Sequence, residues 1–171
     1  MASRPAWALL TAAVVASIMA ATAALYPVTV LELENAARGH VFRFWIGRGE
    51  IFSVTYHHSI YDQPVTEEFT ALKDGRIALT GLSSSSAAVR EYFGIYASGE
   101  HHDMNRVMSQ TVFRVAMGAP QRLRLKHADH SFLDFGDYGD RLVMRTTRTP
   151  FGAYLMMRLC INFKKMPATG S

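Results

Sequence analysis

The sequence predicts an all-β domain, an antiparallel sandwich or a small barrel, preceded by one N-terminal transmembrane helix. Three observations predict this architecture: an uncharged apolar run near the N-terminus, a series of short segments in which apolar and polar residues alternate, and turns rich in glycine or proline between them. The chain has 171 residues, 49% of them hydrophobic. It is therefore long enough for one domain of about 140 residues beyond the apolar run.

The apolar run, residues 6–26, carries no charge and would span roughly 30 Å as a helix, enough to cross a bilayer. Trp7 and Tyr26 stand at its two ends, where amphipathic rings favour the membrane interface. The only charge before the run is Arg4, and a positive charge there orients the N-terminus towards the cytoplasm. We therefore expect a single-pass membrane protein with the rest of the chain outside.

This topology divides the chain into an anchor, residues 1–27, and an exported β-domain, residues 28–171. The alternative is a signal peptide that is removed after export, because the small residues of 21–23 match the pattern that a signal peptidase requires. The apolar run is longer than the hydrophobic region of most signal peptides, which favours the uncleaved anchor.

The β-domain is expected to contain nine strands, because side chains that alternate with a period of two indicate strands. The expected strands are 28–34, 40–46, 51–58, 65–72, 76–80, 111–117, 122–126, 141–147 and 154–163. Segment 83–93 breaks this rhythm, and its serines can cap a short helix that Gly94 would end. Residues 94–108 are polar and irregular and are expected to form a long loop.

Two classes of protein are excluded by simple absences in the sequence. No glycine-rich phosphate loop and no βαβ pattern is present, so nucleotide binding of the familiar kinds is not expected. The single cysteine, Cys160, excludes an intramolecular disulfide and a cysteine-based zinc site. Nucleic acid is not an expected partner either, because the domain is exported.

A hairpin over residues 52–69 combines apolar faces with polar groups. Alternation places His58 on the apolar face of the first strand and Glu67 on that of the second. If 59–64 is the loop, Val65 lies opposite His58 and Glu67 is its diagonal neighbour, within reach of a long side chain. We therefore expect a buried His58–Glu67 hydrogen bond, in a polar cluster with Ser59 and Pro64 that sets the hairpin register.

The same hairpin resembles a known family. The pattern His58-Ser59-Ile60, followed by Pro64-Val65 and Glu67 after a strand ending in an aromatic residue, is similar to the signature of a bacterial family catalogued as domain of unknown function 1850. Members are small exported proteins, often encoded beside TAXI-type TRAP transporters, the tripartite solute importers of bacteria. The resemblance covers residues 48–70. It departs at 93–102, where the family carries a glycine-rich segment followed by proline.

The polar residues of the hairpin and the other histidines could serve catalysis, metal binding or the structure of the domain. His58, Ser59 and Glu67 are the residue types of a base, a nucleophile and an orienting carboxylate, which would suit a hydrolase. Adjacent side chains on a strand diverge, however, and no nucleophile elbow is present, so no catalytic residue is expected. The other histidines match no zinc pattern, so no metal or cofactor is expected. They are His40, His57, His101, His102, His127 and His130.

Basic residues alternate with apolar ones in two expected strands and should face away from the core. They are Arg122, Arg124, Lys126, Arg141 and Arg145. Like charges on neighbouring strands repel, so this basic stripe needs an anionic partner or ample water. Two interpretations stay open. The stripe is either a solvated face that keeps the domain soluble or a docking surface for lipid head groups or an acidic subunit.

These observations lead to an expected function and one alternative. We expect an accessory subunit, without enzymatic activity, that binds and stabilises or modulates an integral membrane complex. The resemblance implies a TRAP-type transporter as the partner, and any large membrane assembly, including an energy-transducing one, would suit the same architecture. The alternative is a small-solute binding module in which His58 and Glu67 hold the solute at the mouth of the domain.

Overall fold

The computed structural model describes residues 4–164, with side chains described for residues 7–159. The chain forms two compact units. The larger unit is Thr29–Thr147, and the smaller unit consists of the segments on either side of it.

The larger unit is built from two antiparallel sheets, and strands are numbered in chain order. The four-stranded sheet has the order β2-β1-β10-β7, with β1 Pro27–Asn35, β2 His40–Ile46, β7 Thr111–Arg114 and β10 Arg141–Pro150. The six-stranded sheet has the order β6-β5-β4-β3-β8-β9, with β3 Ile51–His57, β4 Pro64–Ala71, β5 Ile77–Ser83, β6 His101–Met108, β8 Arg122–Leu125 and β9 Ala128–Ser131. Because neither sheet closes on itself within residues 4–164, the predicted all-β fold is a sandwich and not a barrel.

The core lies between the two sheets, whose inward side chains interdigitate. Leu31 and Leu142 come from the four-stranded sheet, and Phe52 and Phe69 come from the six-stranded sheet; all four are completely or almost completely buried. The rings of Phe52 and Phe69 stack with centroids 5.7 Å apart. Phe113 of β7 meets the Phe69 ring edge-on at 6.4 Å, which joins the two sheets near the candidate site.

A short helix, Ala87–Tyr92, connects β5 to β6, as the serine-rich segment predicts. Ser86 is its N-cap, and the Ser86 side chain accepts a hydrogen bond from the Val89 N–H. Gly94 follows the helix with φ +79°, a conformation that glycine adopts without strain. In chain order this helix is α2, between α1 (Arg4–Leu25) and α3 (Phe151–Lys164).

Eight of the nine expected strands are present, and the expected strand at 154–163 is wrong, because that segment lies in α3. Its leucine, methionine and arginine residues are good helix formers, and it holds only one β-branched residue. The loop expected over 94–108 is wrong in its second half, which forms β6. This strand lies at a sheet edge and is largely exposed, so its polar sequence lacks the alternation that marks a half-buried strand.

The smaller unit contains α1 and α3. Within α1, Trp7–Leu25 has a mean hydropathy of 2.1 and no buried residues, so the helix is long and apolar enough to span a membrane. Trp7 and Tyr26 at its ends are both well exposed. The Phe151 N–H donates to the Tyr26 carbonyl oxygen at 2.9 Å, and α1 and α3 pack closely at the end of α1.

Candidate functional site

The β3–β4 hairpin has a register two residues away from the expected one. His57 pairs with Pro64, and Tyr56 pairs with Val65. The expected pairing of Val65 with His58 is therefore wrong. Because side chains alternate with a period of two, a shift of two residues leaves each side chain on its predicted face but changes its partners.

The partner of Glu67 is Tyr56, not His58. Tyr56 now occupies the diagonal position across from Glu67, and its hydroxyl donates to Glu67 Oε1 at 2.7 Å. The expected His58–Glu67 bond is replaced because β3 ends at His57. His58 instead opens the loop, where its N–H donates to Gln63 O and its own carbonyl accepts from the Asp62 N–H, both at 2.8 Å.

His58 is nevertheless buried, with 5% of its surface exposed. Its ring stacks on Tyr61 at 5.3 Å, meets Tyr92 edge-on at 4.5 Å and lies 6.2 Å from Phe93. Its Nδ1 accepts a long hydrogen bond from the Ile60 N–H at 3.4 Å. No described residue bonds to His58 Nε2, and this atom remains accessible although most of the ring is buried.

His58, Tyr92 and Phe93 line a cleft of about 380 Å³, which we call the motif cleft. One wall is formed by the hairpin, with Tyr56, His58 and Glu67. The opposite wall is formed by β7 and by Gln121. The cleft thus brings together a motif and a strand that lie more than forty residues apart in the sequence.

Burial dominates the electrostatics of the cleft. It raises the pKa of the Glu67 carboxyl above its ordinary value of 4.5, against the hydrogen bond from Tyr56 and the positive charge of Arg106, which lower it. Burial and the neighbouring Glu67 carboxylate also raise the pKa of Tyr56. Tyr56 therefore remains a hydrogen-bond donor throughout the physiological range.

Glu67→Gln is expected to flatten the pH dependence of stability. A buried acid with a raised pKa binds more protons in the folded than in the unfolded state. The contribution of Glu67 to stability is therefore highest below pH 4.5 and falls as pH rises towards the raised pKa. Glutamine cannot titrate, and its amide oxygen can still accept from Tyr56. Urea unfolding of wild type and variant from pH 4 to pH 8 measures this effect. An unchanged pH profile in the variant would contradict it.

His58, Ser59 and Glu67, the residue types that would suit a hydrolase, all line the motif cleft but do not hydrogen-bond to one another. Ser59 is exposed, and no hydrogen bond within the described residues joins it to His58 or joins His58 to Glu67. Pro64 is the first residue of β4, where its missing N–H does not disturb the sheet.

Three of the other histidines contact neighbouring groups within the domain. His101 bonds to the Ser83 hydroxyl at 2.9 Å, and His102 bonds to the Gly99 carbonyl at 3.0 Å. His130 packs against Phe44 with ring centroids 5.0 Å apart. Among the described residues, no group of three His, Cys, Asp or Glu side chains could hold a metal ion.

The five basic residues do not form one stripe. Arg122, Arg124 and Lys126 belong to β8 and the turn after it in the six-stranded sheet, whereas Arg141 and Arg145 lie on β10 in the four-stranded sheet. The expectation that the two strands carrying these basic residues are neighbours is therefore wrong. The alternation of basic and apolar residues predicted which side chains avoid the core but could not assign the two strands to sheets.

Most of these arginines have acidic partners from adjacent strands. Arg122 bonds to Asp129 at 2.9 Å and thereby lowers the pKa of that carboxyl. Arg145 contacts Glu32 at 3.0 Å and Glu34 at 3.1 Å. These acids lie on β9 and β1, and strand pairing brings them to the arginines; Asp129 is 7 residues from Arg122 along the chain, whereas Glu32 is 113 residues from Arg145.

Arg141 differs because the residue directly opposite it is another arginine, Arg114 of β7. Both side chains are exposed, and neither forms an ion pair with any of the side chains described, those of residues 7–159. Arg114, Tyr92 and Gln121 also belong to these sites, although no sequence motif marks them. Of these three residues, only Arg114 could be expected from the sequence to face outward, because it follows Phe113 in a segment where side chains alternate between the two faces of a strand.

The motif cleft and the Arg114–Arg141 pair are the two features that the fold assembles from distant parts of the chain. They meet at β7, which lines the cleft and carries Arg114. Comparison with protein families, curated proteins and solved structures finds no significant match to this chain.

Proposed function

We propose that this chain is a membrane-anchored accessory subunit that binds an integral membrane complex and stabilises or modulates it. The observation that carries the proposal is Trp7–Leu25, a stretch of α1 long enough and apolar enough to cross a bilayer and unburied by the rest of the chain. A tethered domain meets other membrane proteins at high effective concentration, so even a modest docking surface gives stable association.

The proposed location is the periplasmic side of a bacterial inner membrane. Arg4 is the only charge before the apolar run, and positive charges favour the cytoplasmic side. The resemblance of residues 48–70 to a family encoded beside TRAP transporters supports such a transporter as the partner. Another large membrane assembly, including an energy-transducing one, would be met by the same anchored domain.

Exposed side chains beside His58 support a protein partner. Ile60, Tyr61 and Tyr92 surround His58 and are 66%, 39% and 59% exposed. Aromatic side chains are enriched in protein interfaces because they bury a large area at a small cost in conformational entropy. A docked segment would cover these exposed side chains.

Native purification from membranes tests the proposal. The full chain, solubilised in a mild detergent, is expected to retain a stoichiometric integral membrane protein, and intact-mass measurement is expected to find the N-terminal run still attached. A mature chain that begins near Ala24 and is recovered in the soluble fraction would remove the anchor. A full-length chain without any membrane-protein partner would overturn the accessory function.

Graded salt separates the possible docking forces. Arg124 and Lys126 are exposed, and attachment through such charges to anionic lipid or an acidic subunit should weaken with salt, because exposed charges are screened over about 8 Å at physiological ionic strength. We expect reversal of Arg122 and Arg124 to glutamate to weaken association without unfolding the domain. Full retention of the partner by this variant, and by wild type at about 1 M salt, would assign these charges to solubility alone.

A second candidate function, small-solute binding, is favoured by one observation. The motif cleft has a volume of about 380 Å³, and the buried His58 has a free Nε2 in its wall. A small molecule with a hydrogen-bond acceptor would satisfy this group. Native mass spectrometry of the purified chain would detect such a molecule, and its loss in a His58→Phe variant would support this function over the first.

A further inference from the structure

Strand β7 is the last strand of the four-stranded sheet. It pairs with β10 on one side and with no described strand on the other. The Val115 N–H donates to the Asp140 carbonyl, so the backbone groups of Val115 face β10. Because these groups alternate along a strand, those of Phe113 face β10 as well, and those of Val112 and Arg114 face the open edge.

The side chain of Gln121 already acts as a partial neighbour to this edge. Its Oε1 accepts from the Ala116 N–H at 2.7 Å, and its Nε2 donates to the Arg114 carbonyl at 2.9 Å. One amide thus takes the place of a peptide group of an adjoining strand. It leaves three edge groups without a hydrogen bond to any described residue: the Arg114 N–H, the Val112 N–H and the Val112 carbonyl.

The open edge borders an empty space large enough for a polypeptide. Val112 and Arg114 line the motif cleft, opposite Tyr56, His58 and Glu67. Unpaired edge groups are a template for an added strand, and many peptide-binding domains use them in this way. A segment of about four residues would match the length of β7, roughly 13 Å.

Charge indicates which kind of segment fits. Arg114 and Arg141 face each other at a position where the two strands do not exchange hydrogen bonds, and side chains are closest at such positions. Like charges directly opposite each other are unfavourable. An acidic side chain on a strand added beside β7 would lie next to Arg114 and reduce this repulsion.

We propose that the motif cleft receives an extended acidic segment of a partner protein, which adds to the edge of β7 as a fifth strand of the four-stranded sheet. Side chains of the segment alternate. Its acidic residues lie outside beside Arg114, and the intervening residues point into the cleft towards His58. The inference rests on the proposed function, because the segment belongs to the membrane complex that the subunit binds.

A defined peptide tests the mode of binding directly. The probe is a synthetic peptide of alternating aspartate and valine, added to the full-length protein in detergent micelles. It is expected to slow hydrogen exchange of the Val112 and Arg114 amides and to leave the Phe113 amide, already bonded to β10, unchanged. The same peptide with lysine in place of aspartate is expected to bind at least about tenfold more weakly.

Val112→Pro tests the edge with little damage to the sheet. Proline removes the N–H that faces the open edge, no hydrogen bond to β10 is lost, and edge strands tolerate proline. Peptide affinity is expected to fall about fivefold through the lost hydrogen bond. The matched control, Val112→Ala, shortens the side chain but keeps the N–H, and it is expected to bind within about twofold of wild type.

Arg114→Glu tests the charge. This reversal is expected to weaken binding of the acidic peptide about tenfold. The control is Arg48→Glu, a reversal of the same size in the exposed turn between β2 and β3, away from the residues that line the cleft. It is expected to leave binding unchanged.

The native complex separates failure of the edge inference from failure of the proposed function. Loss of the partner in Val112→Pro, with retention in Val112→Ala, supports edge addition. Equal retention by both variants, with no protection of the Val112 amide, overturns edge addition and leaves the accessory function standing. Wild type that retains no membrane protein but shows peptide protection of β7 supports the edge site and overturns the accessory function. Crosslinking of residue 112 to lipid or a small solute in place of a polypeptide overturns edge addition.

Discussion

Replacement of Phe69 by alanine is expected to destabilise the domain by about 3–5 kcal/mol, the usual range for a buried phenylalanine. The side chain is completely buried, stacks on Phe52 and touches Phe113. Alanine would leave a cavity between the two sheets that the packed β-strands cannot collapse to fill. Chemical denaturation monitored by circular dichroism would measure the loss.

The matched control is Tyr96→Ala, which removes a ring of similar size that is 85% exposed. It is expected to change stability by less than about 0.5 kcal/mol. Equal effects of the two substitutions would contradict the assignment of the core. Because Phe69 contacts Phe113 of β7, the core substitution should also weaken binding at the cleft, whereas Tyr96→Ala should not.

Tyr56→Phe is expected to cost about 1–3 kcal/mol at neutral pH, because it leaves a buried acceptor without its donor. The Tyr56 hydroxyl is the one described side-chain partner of the Glu67 carboxyl, which is 8% exposed. Loss of the hydrogen bond should raise the pKa of Glu67 further, since this bond lowers it in the wild type. The decline of stability with rising pH should then extend to higher pH than in the wild type.

A double variant separates the lost bond from lost packing. Tyr56→Phe combined with Glu67→Leu removes both polar partners, and such a replacement is often close to neutral. It should therefore be more stable than Tyr56→Phe alone. If the double variant is the less stable of the two, the hydroxyl contributes through packing and not through its bond to Glu67.

His58 was the expected partner of Glu67, and the reason for the difference is the position of the turn, which occupies residues 58–63 in the structure and 59–64 in the prediction. Both registers keep the same faces buried, so hydrophobic alternation could not distinguish them. The loop hydrogen bonds of His58 with Gln63 and Asp62 decide between them. A turn that begins one residue earlier in the prediction would have identified Tyr56 as the partner.

The basic residues illustrate a second limit of prediction. Alternation correctly predicted that Arg122 and Arg141 avoid the core, because that depends only on neighbours along the strand. Their partners depend on strand order. Arg122 finds Asp129 on the next strand of its sheet, whereas Arg141 faces Arg114 across a pair formed by segments 27 residues apart. Periodicity carries no information about such pairings.

Local properties of the sequence by themselves determined the all-β class, the apolar run of α1, most strand positions and the short helix capped by Ser86. Each of these depends on interactions between residues close together in the chain: alternation, capping and continuous hydrophobicity. Only the tertiary structure decided the edge strand β6, the Tyr56–Glu67 bond and the open edge of β7 beside the motif cleft. These features depend on which strands pair and in which register, and pairing free energy comes from contacts between distant segments that a one-dimensional pattern does not encode.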